Sequence, residues 1–486
     1  MRLPHAAGDT LAFRFAGRRV EGRDGDTIAA ALYASGIRTW SRSRKFHRAR
    51  GLSGAFVAGH AGTVDGIPHI RLDQTPLREG LSVGPENVWP TAGLDILRLA
   101  RLLPRRWLRA GFEHPGLIPS GRWPFETWES LLGFMAGESP APRTRGSAPT
   151  GRLIEADLAV VGGGPAGRDA ANRAAATGDT VVLIDRGQEP GITAGAAGAN
   201  LAPLDARITV LAGHEAFGLY DRARHLACAP HDMTAPALVV RAGRVVLATG
   251  RRSVPPVVPG ADLPGVLDAA TALTLADRHA VAPGALIAVI GTEGRDAVAE
   301  RLAALGVNVV AVHHMDDVRG IAGRNGVSGL DVGHVVPCDA VVHAGPWRSD
   351  PSLAFQAGAD GDLRVETRAL PDTVWAVGAA ARPDEPVSLG AGLDRRALVC
   401  PCMDVTVAEI LDLAAKGETH VEVVKRLTGC GMGPCQGVPC WDQLAAVLAE
   451  ATGREPASFG HPTYRPPRAA LTFGQAAGLE NLVPHP

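Results

Sequence analysis

The run Leu158-Ala159-Val160-Val161-Gly162-Gly163-Gly164-Pro165-Ala166-Gly167 passes from an apolar strand straight into a glycine-rich turn, and a helix of small residues follows. The three glycines at this spacing have separate tasks. Gly162 makes the tight turn, Gly164 lets the backbone approach a pyrophosphate, and Gly167 permits close packing of helix on strand. Pro165 and Ala166 open the helix, whose N-terminal amides stabilise phosphate charge. The next apolar strand, residues 180–184, runs into Asp185 and Arg186. An acid at this spacing is the group expected on a ribose 2′-hydroxyl. Buried strand, turn, helix and strand in this order make a parallel βαβ unit. A bound dinucleotide is the expected function, and a vestigial nucleotide fold that only supports architecture is the alternative.

Downstream, residues 244–247 lead into Ala248-Thr249-Gly250, which looks like the second turn of a flavoprotein, where the chain leaves a strand beside the cofactor. Residues 375–378 stand where a third such turn belongs, ending at Gly378. An Asp usually follows that glycine, but here the residue is Ala379, so FAD is expected without one of its usual contacts. A second βαβ-like stretch begins at residue 285, with Gly291-Thr292-Glu293-Gly294 in its turn and an apolar strand at 307–312. It lacks the third glycine, and His313 and His314 replace the ribose-binding acid. An architectural module is expected there, with a degenerate nucleotide site as the alternative. NAD(P) is a minor expectation.

The bulk numbers suit this reading. A chain of 486 residues exceeds one ordinary core and should hold roughly two to four domains. With 49 Lys plus Arg against 50 Asp plus Glu, no net field gathers phosphate backbones or anionic lipid, so nucleic acid is not an expected partner. The 59 Gly and 37 Pro suit an α/β enzyme with many tight turns. The longest apolar runs, such as residues 285–290, fall far short of a bilayer span. Arg2, His5, Asp9 and Arg14 break up the N-terminus, so no secretory signal is read and the cytoplasm is the default expectation.

Before the nucleotide module, short strands are expected at 11–15 and 18–21, then a helix from Asp26 to Gly36 with Asp26 and Thr27 as caps. A basic stretch follows, with Arg42, Arg44, Lys45, His47, Arg48 and Arg50 before Gly51. It reads equally as a solvated face or as a contact for a partner or cofactor phosphate. Residues 94–110 read as an amphipathic helical stretch, and 140–149 as a linker.

Five of the seven cysteines fall between Cys400 and Cys440, too local for a disulfide framework. Cys400-Pro401-Cys402, a helical spacer, Cys435 and Cys440 offer four thiolates, the ligand set of a [2Fe–2S] cluster. Zinc is the competitor, but its sites more commonly pair C-x-x-C with C-x-x-C. Cys430 reads as a substitute ligand or a buried hydrophobe; Cys228 and Cys338 read as core residues.

These residues together resemble a known family, the alpha-type subunits of heteromeric sarcosine oxidase, opine oxidase, hydroxyproline or proline dehydrogenase, and hydrogen cyanide synthase. Gly25-Asp26-Thr27, the run from Ser43 to Gly51, and Asn87-Val88-Trp89-Pro90 are similar to the N-terminal domain of the sarcosine oxidase chain. Lys425-Arg426-Leu427-Thr428 and Gly431-Met432-Gly433-Pro434-Cys435-Gln436-Gly437 are similar to the cluster domain of the opine and hydroxyproline enzymes. The resemblance implies an α/β, glutathione/thioredoxin reductase-like flavoprotein of two dinucleotide-binding domains. It adds an N-terminal ferredoxin-like β-grasp domain and a small C-terminal helical, BFD-like [2Fe–2S] domain. The expected boundaries are 1–95 for the ferredoxin-like domain, 96–150 for a helical segment and linker, and 151–275 plus 365–398 for the FAD domain. The second nucleotide module is expected at 276–364, the cluster domain at 399–452 and a tail at 453–486.

The resemblance also implies Cys400, Cys402, Cys435 and Cys440 as ligands, leaving Cys430 out. It implies FAD, or less often a nicotinamide nucleotide, on Gly162, Gly164, Gly167 and Asp185. The chain departs from the family in having no cysteine before Cys228, so its ferredoxin-like domain is expected to be architectural. It stops at Pro486, where large sarcosine oxidase subunits continue into a folate-binding domain, so folate chemistry is not expected. The stretch between Asp185 and Arg244 is also shorter than the family's.

In the family a separate beta subunit of the D-amino-acid-oxidase type holds the catalytic flavin, FMN often sits at the subunit interface, and a further small subunit occurs. The expected role of this chain is electron transfer from that flavin through FAD and the cluster. No acid or base residue for catalysis stands out. The alternatives are a self-sufficient NAD(P)H-dependent reductase and a scaffold subunit with vestigial sites.

Overall fold

The computed structural model describes the chain except residues 56–58, 92, 103–125, 128–129, 132, 135–148, 359–369, 461, 463, 481 and 483–486. Of the helix expected at 94–110, the described part is the 3₁₀ helix Ile96–Leu102, and the remainder lies outside the described residues. So does nearly all of the linker expected at 140–149. The chain divides into two compact units. One holds Met1–Arg143, Pro255–Ala344 and Val387–Phe459; the other holds Thr144–Val254, Gly345–Pro386 and Gly460–Pro486.

The second of these units is built on the fingerprint strand, Arg152–Val161. Among the described residues its sheet has seven strands. Thr209–Ala212, Val181–Asp185, Arg152–Val161 and Leu238–Leu247 run parallel, and Val374–Ala376 pairs parallel with the end of the last of these. Strands parallel to their neighbours are covered on both faces, which explains their continuous apolar runs. Leu158 and Val160 pack on one face against Ala171 and Ala175 of the helix Pro165–Ala176. Ala159 and Val161 pack on the other with Ile184 and Val245. His225–Pro230 pairs antiparallel with the lower half of Leu238–Leu247, and His214–Tyr220 pairs antiparallel with His225–Pro230.

The other unit contains three parts. Its N-terminal sheet has five strands among the described residues, ordered Arg18–Arg23, Thr10–Phe15, Ser82–Gly84, Ala61–Val64 and Ile67–Arg71. The helix Ile28–Ala34, capped by Thr27, is buried along most of its length. The second nucleotide-type module follows, with parallel strands Val266–Asp268, Ala340–Ala344, Ile287–Gly291 and Val309–His314. The last part carries the cysteines on the pair Leu398–Cys400 and Val405–Thr406 and on helices Val407–Ala414, Val421–Thr428 and Cys440–Thr452.

The module boundaries differ from those expected at 276 and 364. Val266–Asp268 joins the second sheet, while Trp347–Ser349 pairs with Arg251–Ser253 in the other unit. Strands of three residues are too short to show a period, so the sequence gives no sign of either crossing point. Among the described residues no helix is long and apolar enough to cross a membrane.

Candidate functional site: the glycine turn and the cysteine pocket

Around the first glycine turn, close packing explains two of the three glycines. A Cβ on Gly162 would stand 2.3 Å from the Ala248 carbonyl oxygen, and one on Gly167 would stand 1.9 Å from that of Gly162. Gly164 differs: the nearest heavy atom to its Cβ position is 4.0 Å away, at Ala194. Its backbone is therefore open to a ligand, and it caps the helix Pro165–Ala176 without a side-chain hydrogen bond, leaving amides for an anion. Ala248 donates its amide to Val161, and a Cβ on Gly378 would lie 2.5 Å from Ala166. Ala166, Ala248 and Gly378 thus come together at the turn, with Thr249 exposed and Gly250 half-buried beside Ala248.

Asp185 sits where the sequence puts it, but its carboxylate braces the loop. One oxygen accepts the amides of Gly163 at 2.6 Å and Gly191 at 3.2 Å, and the other accepts Gly187 at 2.7 Å. With about four lone-pair sites on a carboxylate, little capacity remains for a ribose. Arg186 is exposed, and its carbonyl accepts from His231 at 2.9 Å. Sequence reasoning missed Arg168, whose guanidinium ties the carbonyls of Gly163, Pro190 and Ala202 together at 3.0, 2.7 and 2.7 Å. Its signal is a long cation directly after the last fingerprint glycine. Gly167→Val is expected to cost at least the ~1–3 kcal/mol of an overpacked core and to remove bound dinucleotide while iron content stays unchanged. Flavin release and iron assay on one preparation measure both.

The five clustered cysteines are all buried and none forms a disulfide. Their contacts form a closed ring: Cys400 meets Cys402 and Cys440, and Cys435 meets the same two. The Cys402 and Cys435 sulfurs are 3.3 Å apart. Cys430 hangs off this ring by its contact with Cys400. Hydrogen bonds from Cys402, Cys430 and Cys440 pull the Cys400 thiol well below its ordinary range, against the opposing effect of burial. Those from Cys402 and Cys440 do the same for Cys435. Donating these bonds pushes Cys402, Cys430 and Cys440 up, as does burial. Opposite corners thus favour the thiolate, the form that binds metal. Among the described residues no three ligand side chains converge on a point suited to one ion. A two-iron cluster asks instead for two pairs of sulfurs about separate irons, and the ring supplies two pairs.

The loop is shaped to hold those sulfurs. The Gly431 amide donates to the Cys400 sulfur at 3.5 Å, and a Cβ on Gly433 would stand 2.3 Å from that of Cys402. Gly437, at φ +78°, leaves room for the buried Trp441 ring, to which its Cβ would come within 2.1 Å.

The basic stretch at 42–50 meets this loop. Ser41–Arg42 and Ala49–Arg50 form a two-stranded ribbon in which Arg42 and Arg50 are buried and Arg44 is exposed. Arg50 donates to the Pro401 carbonyl at 3.0 Å, to Asp404 at 3.1 Å and to Asp262 at 2.7 Å. The Phe46 amide donates to the other Asp404 oxygen at 3.0 Å. Lys45 donates to the Thr428 carbonyl at 3.2 Å. Burial lowers the Lys45 pKa, partly offset by Glu409, Asp404 and the sulfurs of Cys400 and Cys430. The stretch is therefore no solvated face, and Asp404 is a site residue that sequence reasoning did not pick out.

Three family models match along the chain in this order. That of a 2Fe-2S iron-sulfur cluster binding domain covers 8–87, that of the pyridine nucleotide-disulphide oxidoreductases 156–326, and that of the sarcosine oxidase A3 domain 394–479. The first match falls on a stretch without cysteine, so it describes the frame and not a ligand set. The sarcosine oxidase alpha subunit of Rhizobium meliloti (strain 1021) is 29% identical, with 96% of this chain and 58% of that protein aligned. That of Corynebacterium sp. (strain U-96) is 25% identical, over 97% and 56%. An opine oxidase subunit of Rhizobium meliloti (strain 1021) is 35% identical over 17% of this chain and 18% of its own. The chain thus spans little more than half the length of the sarcosine oxidase subunits it matches. Among solved structures, L-proline dehydrogenase from P. horikoshii shares the fold, with a TM-score of 0.75 at 21% identity over 98% of this chain and 99% of that one. In the order of its matched domains, and in alignments that run over nearly all of its own length, this chain is similar to the sarcosine oxidase alpha subunits.

Proposed function

We propose that this chain is the electron-transfer subunit of a heteromeric FAD-dependent oxidoreductase acting on the CH–NH group of a secondary amine or amino acid. Sarcosine, an opine and proline, named by the relatives, share that group. The observation that carries the reading is the ring of four buried sulfurs, Cys400, Cys402, Cys435 and Cys440, two of which favour the thiolate. These four are the proposed [2Fe–2S] ligands. The open backbone at Gly164 and the amides opening the helix Pro165–Ala176 are the proposed FAD pyrophosphate seat, with Ala166, Ala248, Thr249, Gly250 and Gly378 around it. When bound, these groups supply two-electron and one-electron redox chemistry.

The chain's own residues hold and tune. The Gly431 and Gly437 amides donate to the Cys400 and Cys435 sulfurs, which stabilises their negative charge. The buried Trp441 ring packs on Gly431 and Gly437 of the cysteine loop. No side chain here is assigned to proton abstraction from substrate. That task, with the catalytic flavin, is proposed for a beta subunit of the amino-acid-oxidase type, with FMN at the shared interface and one further small subunit in the complex. The complex prepared without oxygen should hold about two irons and two acid-labile sulfides per copy of this chain, plus releasable FAD. The chain freed of its partners should bleach little on adding sarcosine, proline or an opine. Iron-free protein, or strong amine oxidation by the lone chain, would overturn the reading.

A second reading, a reductase driven by NAD(P)H, draws on the family match over 156–326 and on the second turn at Gly291. Rapid flavin bleaching by NADH or NADPH without any amine would favour it.

A further inference from the structure

The ribbon that joins residues 41–50 grips both cysteine-bearing segments. On one side Arg50 holds the Pro401 carbonyl and Asp404, fixing the turn that carries Cys400 and Cys402. On the other, Lys45 donates to the Thr428 carbonyl at 3.2 Å, and the Thr428 hydroxyl accepts the Cys430 amide at 3.1 Å. The two cations differ in what they face. Arg50 is directly ion-paired with two carboxylates, Asp262 at 2.7 Å and Asp404 at 3.1 Å. Lys45 ends on a neutral carbonyl beside Cys430, with the Cys400 and Cys430 sulfurs and two carboxylates, Glu409 and Asp404, around it.

We infer that Lys45 is a positioning residue for the metal centre: its ammonium, carried by a domain that has no thiolates of its own, raises the reduction potential of the cluster on Cys400, Cys402, Cys435 and Cys440. The inference rests on the cluster assignment made above. Reduction adds one electron to the cluster, taken from a flavin on the reducing side. A fixed positive charge that feels the sulfurs electrostatically favours the more negative, reduced state. The N-terminal domain, matched to a cluster-binding frame yet lacking cysteine, thus serves the cluster of another segment.

The test is an electron-paramagnetic-resonance redox titration of the whole complex with Lys45→Gln, Lys45→Met and Lys45→Arg, each with its iron content. At a poise that half-reduces the wild-type cluster, Lys45→Gln and Lys45→Met should lower the reduced-to-oxidised ratio at least tenfold. For one electron that is about 59 mV towards negative potential. Lys45→Arg should stay near wild type. If the neutral variants load iron and titrate as wild type does, the inference is overturned while the cluster assignment stands. If the neutral variants fail to load and Lys45→Arg loads normally, the charge serves cluster assembly and the inference of a raised potential is overturned. If all three fail, the side chain serves by shape and the inference is overturned. Absence of iron from the wild-type complex itself would instead remove the assignment on which the inference rests.

Discussion

Cys402→Ala is expected to strip the complex of iron and acid-labile sulfide, whereas Cys430→Ala should keep both. Both residues are buried and both hydrogen-bond Cys400, so neither burial nor that contact separates them. Their places in the sulfur network do. Cys402 bridges Cys400 and Cys435, at 3.3 Å from the latter, and removing it opens the ring between its two thiolate-favouring corners. Cys430 joins the network through its hydrogen bond to Cys400, so its loss leaves all four corners in place. Metal binding couples to folding, on the order of 10 kcal/mol for structural metal sites, so Cys402→Ala should also lower the melting temperature of the cluster segment sharply. Deleting the Cys430 sulfur should cost about 1 kcal/mol, as for a small buried deletion. Iron and sulfide analysis with the optical spectrum of each variant decides the matter. Full iron in Cys402→Ala together with its loss in Cys430→Ala would show that the ring is not the ligand set.

How much of this was legible beforehand depends on the range of the constraint. The strand-turn-helix at 158–167 was readable because its glycines answer to neighbours in the same βαβ unit: Gly167 meets Gly162, five positions away. The reductase-like α/β fold followed from that. The antiparallel strands His214–Tyr220 and His225–Pro230 were not read, because their buried faces mix Gly, Ala and Cys with few large apolar residues. Asp185 was found by spacing, but only the folded loop reveals that three amides already occupy it. The cysteine spacing singled out four thiols, yet the contact of Cys430 with Cys400 depends on how the loop after the helix Val421–Thr428 turns back. The basic stretch was the hardest case. Arg50 and Asp404 lie 354 positions apart, and no local period links a cation in one segment to a lone acid in another.

That pair also gives the second large expected effect. Arg50→Met should destabilise the unit that contains it by about 3–5 kcal/mol, the usual cost of removing one member of a buried ion pair. The side chain of Arg50 is 5% exposed, and those of Asp262 and Asp404 are 9% and 0% exposed. Without the guanidinium, two carboxylates face one another with little water to screen them. Asp404→Asn should cost less, because Asp262 still balances Arg50 and the amide oxygen can still accept from Phe46. At ~2–4 °C per kcal/mol, Arg50→Met should lower the melting temperature by roughly 10 °C and Asp404→Asn by a smaller amount. If the two residues act on each other, combining the substitutions should be less damaging than the sum of the single effects, since removing Arg50 leaves Asp404 as an unpaired charge that the amide relieves. Iron loss should track the melting of Arg50→Met, because Arg50 also fixes the Pro401 carbonyl between the first two ring cysteines. Unchanged melting in Arg50→Met, or strictly additive effects in the double variant, would mean that the ribbon touches the cysteine loop without holding it.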